Sequence, residues 1–490
     1  MKRIILTPRL SAFALSGTAL LAACSFQTYN PQPLDPAQTA AHYRAHDPAS
    51  AEFRDYMVAQ GYPADALPVK QWGLRELTLS ALFFHPQLDV ARAQLQAARA
   101  REITAAQRPN PNFSASGGKS EDDVSPWIYN LGVDLPLQTT DKREASLAQA
   151  QALSEASRIE IGQTAWTVRS RLLNSWIEYS AAQQQLRLLQ QELDLRNEIA
   201  AMLEARLDAG MISSVELSTA RLQLQQAEQA VAAEKGRIPA LRAALASDAG
   251  LPNHVLARLD LKNRDFEELT ASTHSAATLR DGSNDLQDAA LLNRLDIRAA
   301  LARYDAAEQQ LRLEIARQYP DLTLSPSHYY EEGFHIWSLG ISALLPLLNK
   351  NEGLIAEARA LRGVQAAQFE ALQAKVIGDL EQAKARYHGA LDELEQVHRL
   401  ESSQQAHLQQ MSSQFDSGYA DRLELTAAKL EGLLAKKNLL AAEYNVQRAA
   451  AALEDVLQQP LENVHTLPAD MERAADHSTQ HPQSSMDSSS

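Results

Sequence analysis

The sequence predicts a mainly α-helical fold with a small β part, built twice over within one chain. Three features carry that prediction: two proline-free helical stretches, a short alternating stretch ahead of each, and one fixed spacing relating the halves. No compact domain needs helices that long. Composition agrees. Of 490 residues 45 % are apolar but only 6 % aromatic, and Ala, Gln and Leu recur throughout, which favours long helices over a thick aromatic core.

The chain opens with Lys2, Arg3 and Arg9 around a short apolar run, Leu10 to Leu21, closed by Leu21-Ala22-Ala23-Cys24. This is the pattern of a secretory signal peptide over residues 1–23, and the run is too short to span a bilayer as a stable helix. Cys24 is the only cysteine, so an intrachain disulfide and a Cys-based metal site are excluded. Leu-Ala-Ala-Cys resembles the bacterial lipobox. That resemblance implies that cleavage leaves Cys24 first and acylated, with outer-membrane lipid holding the N-terminus. The formal charge is −15 with basic residues scattered among Glu and Gln, so nucleic acid is not an expected partner.

Residues 24–70 are proline-rich and read as an irregular lead-in. The first repeat is expected over 71–249. Its opening helix runs from Leu74 to Arg108, interrupted at His85-Pro86 and stopped by Pro109-Asn110-Pro111. A β-hairpin over 112–135 follows. There Phe113, Ala115 and Gly117 share one face, as do Trp127, Tyr129, Leu131, Val133 and Leu135; Pro136 is expected to end it. The stretch from Lys142 to Ala209 contains no proline and as one helix reaches roughly 100 Å. Positions 186, 189, 193, 196, 200, 203 and 207 alternate steps of three and four with mostly apolar residues, a coiled-coil seam. A tip turn over 209–214 reverses the chain into a return helix, and a polar linker is expected over 250–285.

The programme then repeats over 286–460. Ile336 to Ile341 (IWSLGI) matches Ile128 to Val133 (IYNLGV), 208 positions earlier. The same spacing aligns residues 206–222 with 414–430, including Gly210 with Gly418 and Glu216-Leu217 with Glu424-Leu425. Two distant segments sharing one spacing indicate duplication of a whole unit. The second repeat is thus a helix ending at Tyr319-Pro320, a hairpin over 321–345, a long helix, a tip turn over 417–422 and a return helix. The tail, 461–490, has the composition of a disordered segment.

Four strands with an apolar face cannot close a barrel, and an open edge cannot survive in lipid. Two copies give eight strands, a size filled by its own side chains; three give twelve strands and room for a passage. Trp127, Tyr129, Tyr329, Tyr330 and Trp337 are the candidates for the aromatic girdle. The same trimer gathers twelve helical staves into a tube.

These residues resemble the TolC-like outer-membrane efflux proteins over almost the whole mature chain. The resemblance rests on the two tip turns, Asp208-Ala209-Gly210 and Asp416-Ser417-Gly418, each followed by Glu-Leu. It rests also on Gln107 to Pro111, Ala316 to Leu322 and Leu344-Leu345-Pro346-Leu347. It implies a homotrimer with a twelve-stranded transmembrane barrel above a long α-helical barrel. Its implied partners are a periplasmic adaptor and an inner-membrane pump of the resistance–nodulation–division class. Within the family, the Pro-Asn-Pro helix end and lipoprotein start look most like heavy-metal efflux members. The chain is expected to be a passive duct without enzymatic activity or cofactor, and no G-x-x-x-x-G-K-[ST] phosphate loop is present.

By that resemblance Gly210, Met211, Ile212, Gly418, Tyr419 and Ala420 form the adaptor-contact tips. Glu424 takes a constriction position, and Glu216, Asp208 and Asp416 complete a candidate acidic pore ring, with a solvated helix carboxylate as the plainer alternative. Ala420 and Ala427 stand where some relatives carry polar gate residues. No metal site is expected: His328, His335, His388 and His398 form no convincing ligand set, and His477 and His481 lie in the tail. The alternatives are the duct of a type I protein or peptide secretion system, or a lipid-anchored coiled-coil scaffold.

Overall fold

The computed structural model describes residues 27–119, 121, 126–262 and 291–461. Cys24, the signal peptide, the linker beyond residue 262 and the tail from residue 462 lie outside the described residues. The backbone divides into two compact units, Met1–His46 and Asp47–Ser490. In the first, helix α1 (Pro36–Arg44) starts where the Asp35 carboxylate accepts from the Ala37 N–H at 2.8 Å, with Pro36 at the first helical position.

The second unit opens with α2 (Ala51–Ala59), capped by Ser50, and it buries Phe53, Tyr56 and Met57. The lead-in is therefore partly helical, a correction to the irregular segment expected over 24–70. Prolines mask the signal, but Asp35-Pro36 and Ser50 are proper helix starts. An i, i+3, i+4 apolar triplet supplies α2 with a buried face.

Both repeats then follow one order. The first comprises α3 (Leu74–Phe84), α4 (Pro86–Ala106), β1 (Asn112–Lys119), β2 (Trp127–Leu137), α5 (Lys142–Asp208), α6 (Ser214–Asp248) and the short α7 (Asn253–Leu256). The second comprises α8 (Leu295–Ala316), β3 (Leu322–Glu331), β4 (Phe334–Ala343), α9 (Glu352–Asp416) and α10 (Arg422–Leu457). The α5 seam is oriented inward as its spacing requires: Leu189 and Ala200 are buried and the other seam positions half-buried, while Gln190, Asp194 and Glu204 are exposed.

One core gathers α2, α3, α4, the middle of α5 and the end of α6 around Phe53, Leu77, Leu82, Leu88, Leu172 and Leu245. Leu251 and Leu256 join it, and Trp72 exchanges backbone bonds with Asp260 and Lys262 at 2.7 and 2.9 Å. Up to Lys262 the expected polar linker is thus packed structure, because its Leu251, Val255, Leu256, Leu259 and Leu261 carry the apolar content. A second core joins α9 to α10 through Val376, Leu380, Tyr387, Leu391, Val446 and Leu453. The repeats are tied by the buried ion pair Arg169–Glu454 at 2.9 Å.

The four strands form one antiparallel sheet in the order β1-β2-β3-β4. A two-residue turn, Glu332-Gly333, closes the second hairpin with both residues at positive φ, the geometry that matches strand twist. Pro136 lies beyond the last β1–β2 pair of the first hairpin, as expected, yet does not end strand β2. It lies inside β2 opposite Thr323, and β1 already stops at the Asn112–Asp134 pair. The proline thus occupies a locally unpaired edge, where its missing N–H leaves no gap in the ladder.

Candidate functional site

Paired residues in adjacent strands share a face, so the register sorts the sheet into two faces. One carries Phe113, Trp127, Tyr129, Leu131, Leu135, Leu324, Tyr330, Trp337, Leu339 and Ile341. The other carries Ser114, Ser116, Asn130, Gly132, Asp134, Ser325, Ser327, Ser338 and Ser342. Large side chains on the apolar face stand open: Trp337 is 80 % exposed and Ile341 70 %. The polar face is laced by hydroxyl bonds, Ser325 to Asp134 and Ser327 with Ser338, both at 2.7 Å. Both outer edges, β1 and β4, lack a partner strand among the described residues.

Four of the five girdle candidates, Trp127, Tyr129, Tyr330 and Trp337, lie on the apolar face. Tyr329 does not. It pairs with Asn130 and Ile336 on the polar face, because neighbouring residues of a strand point opposite ways. The structure adds what sequence reasoning passed over: Tyr129 stacks on Tyr330 at 4.7 Å, and His328 meets Trp337 at 4.6 Å. His328 and His335 hydrogen-bond at 3.0 Å, a diagonal cross-strand contact visible only once register is known. Among the described residues no group of three or more His, Cys, Asp or Glu is placed to hold a metal ion. No helix among them is long and apolar enough to cross a membrane.

The two tip turns share one geometry. Gly210 and Gly418 adopt φ of +71° and +78°, the left-handed conformation that glycine enters without strain. Met211 N–H bonds the Arg206 carbonyl at 2.9 Å and Gly210 N–H the Leu207 carbonyl at 2.8 Å. Tyr419 and Gly418 repeat this with Gln414 and Phe415 at 2.8 and 2.9 Å. Both are Schellman caps. Met211 and Tyr419 are exposed, 67 % and 87 %, and Ile212 and Ala420 half-buried. The ring candidates Asp208, Asp416, Glu216 and Glu424 are all exposed.

Glu216 and Glu424 each sit three residues past an N-cap and accept its backbone N–H. The Ser213 N–H reaches Glu216 at 3.4 Å, and the Asp421 N–H reaches Glu424 at 2.8 Å. In return the Glu424 N–H donates to Asp421 at 2.8 Å, completing a capping box. Each carboxylate is therefore partly engaged in starting its return helix. The second turn also carries charge pairs to the first rod: Arg206–Asp421 at 2.5 Å and Arg422–Glu198 at 2.6 Å. Farther along, Lys437 and Arg196 both hold Glu192, at 2.5 and 2.8 Å. The backbone N–H of Glu424, and then the Arg206 guanidinium, hold the Asp421 carboxyl below the usual carboxylate range.

A doubled helix–hairpin–helix unit with a two-faced sheet at one end and paired glycine tips at the other is the TolC-like fold. Residues 79–250 and 286–458, more than half of the chain and both repeats, match the outer membrane efflux protein family; the chain belongs to that family and is an outer-membrane protein.

Among curated proteins it is similar to the cobalt-zinc-cadmium resistance protein CzcC of Cupriavidus metallidurans. They are 24 % identical over 246 residues, which is 50 % of this chain and 56 % of that protein. It is also similar to the pyoverdine export outer membrane protein OpmQ of Pseudomonas aeruginosa, 24 % identical over 322 residues, 58 % of this chain and 65 % of that one. The chain thus spans between half and two thirds of the length of these relatives. Among solved structures, the outer membrane protein VceC of Vibrio cholerae has the same fold: TM-score 0.62 and 20 % identity, covering 79 % of this chain and 97 % of that one.

Proposed function

We propose that three copies of this chain form the passive exit duct of a tripartite efflux pump, anchored by acylated Cys24. Cargo enters at the tips, passes through the helical staves and leaves through a twelve-stranded barrel. The observation that carries this reading is the four-stranded sheet, mainly apolar on one face and rich in hydroxyls on the other, with neither edge paired among the described residues. Its polar face suits a water-filled lumen and its apolar face suits lipid. The drive comes from an inner-membrane pump, and a periplasmic adaptor docks on Met211, Ile212, Tyr419 and Ala420. Trp127, Tyr129, Tyr330 and Trp337 anchor the barrel at the membrane interface.

For cargo we propose heavy-metal cations, supported by the likeness to CzcC and by the exposed carboxylates at both tips. Three copies of Glu424 would form a ring that favours cations. The purified protein in a planar bilayer should conduct, and Glu424→Gln should lower its preference for cations over anions. Deletion of the gene should sensitise cells to cobalt, zinc or cadmium. Absence of conductance would overturn the duct; unchanged metal tolerance alongside sensitivity to organic compounds would overturn the cargo class only.

A further inference from the structure

In the trimer proposed above β4 of one copy meets β1 of the next, and we infer that this seam, read through the internal duplication, lacks the charge pairs of its intrachain counterpart. The inference rests on the trimer proposed above and adds which residues meet. Strand β2 recurs as β4 208 positions on, Gly132 corresponding to Gly340. Strand β1 recurs as β3 211 positions on, Pro109-Asn110 corresponding to Pro320-Asp321. The two spacings agree with the hairpin registers: Ser114 faces Gly132, and its counterpart Ser325 faces Gly340. The chain therefore shows one junction between consecutive hairpins, β2 on β3, whose repeat is not found among the described residues.

Carrying the observed β2–β3 pairs across the duplication yields the seam. Leu131 with His328 becomes Leu339 with Gly117 of the second copy. Gly132 with Ser327 becomes Gly340 with Ser116, and Leu135 with Leu324 becomes Ala343 with Phe113. Each pair joins two residues of the same face. A slip by one residue would turn the apolar side chains onto the hydroxyl-lined face.

At the strand-to-helix corner, buried Lys142 donates to Asp321 at 2.7 Å and to the Tyr319 carbonyl at 2.6 Å. Its repeat-mate Lys350 is exposed, and the duplication presents it with neutral Asn110 and the Arg108 carbonyl. An open cavity of about 1350 Å³ lies at this corner, bordered by the exposed Leu344, Leu345 and Leu348; the second copy's corner would cover that strip. Near the tips, Arg206–Asp421 becomes Gln414–Ser213, Glu198–Arg422 becomes Ala406–Ser214, and Glu192–Lys437 becomes Leu400–Gln229. None of these four intrachain charge pairs has a charged counterpart across the seam.

Cysteine pairs test the register in the full-length protein. Strands β1 and β4 lie at opposite edges of the sheet, about 14 Å apart at the usual strand spacing, so a disulfide between them within one chain is excluded. Oxidised Ser114→Cys/Ser342→Cys should run as covalent dimers and trimers. Ser114→Cys/Ser338→Cys, four residues out of register, should not. Crosslinking by the shifted pair instead would overturn the register and leave the trimer standing; a native mass of a single chain would remove the trimer itself. Asn110→Asp should raise the temperature at which the trimer dissociates in detergent, and Lys350→Ala should abolish that gain. An unchanged or lower temperature for Asn110→Asp would overturn the charge-poor corner.

Discussion

The two long helices occupy the same place in their repeats and are nearly equal in length, 67 residues for α5 and 65 for α9. Their surroundings differ. Twenty-four residues of α5 are buried but only seven of α9. Composition does not explain this, since α9 leaves Leu354, Leu361, Val364 and Leu400 open to solvent. Position does. Among the described residues α5 packs on α3, α4, α6, α8 and α10, whereas α9 packs chiefly on α8 and α10. In the trimer proposed above, α9 would gain the repeat-mates of the α8 and α10 that bury α5: an α4 and an α6 belonging to another copy. On that proposal, the half-covered rod measures how much of the fold is deferred to assembly.

Substitutions on the two rods should have different consequences. The largest expected effect is at Leu361. Exposed in one chain, it should tolerate Leu361→Glu with an unchanged far-ultraviolet spectrum, yet the trimer should be lost on size exclusion; a retained trimer would leave the open flank of α9 without a partner. On the buried rod, Glu454→Ala should strip Arg169 of its partner and destabilise the chain itself by about 3–5 kcal/mol, the usual cost of orphaning a buried charge. Leu172→Ala, at a fully buried position, should cost a comparable 2–5 kcal/mol. Chemical denaturation measures both.

The smallest effect belongs to the tip. Arg206→Ala removes a half-exposed pair and should cost about 0.2–1 kcal/mol. Because the folded state depresses the Asp421 pKa, its contribution is present above the unfolded value of about 4 and is lost as pH falls through the lowered one. Hydrogen exchange at the second turn should therefore be flat from neutral pH to about 5 once corrected for intrinsic rates, and accelerate only in stronger acid.

Much of this was legible in the sequence because it is written locally. Proline pairs stop helices, glycine permits a left-handed cap, and one spacing places Gly210 and Gly418, Tyr129 and Trp337, in equivalent positions. What escaped depends on which distant strands and helices meet. Tyr329 stands among aromatic residues in sequence but on the opposite face in space. Pro136 looks like a strand end until the early stop of β1 is seen. His328 and His335 meet only diagonally across a hairpin. The charge pairs from α5 to α10 join residues more than 200 positions apart, and their absence from the other seam becomes visible only when the duplication is laid over the contacts. The roles proposed for the tips and the acidic residues come from family resemblance rather than from local rules; the capping boxes at Glu216 and Glu424 show that local rules already give those carboxylates a structural task.

The most direct measurement is native mass spectrometry of the protein extracted from outer membranes in mild detergent. Three chains per particle, with no conducting single-chain species in the same preparation, is the result expected if the open flank of α9 and the two bare sheet edges are covered by further copies of the same chain. A membrane-inserted, conducting single chain would contradict it.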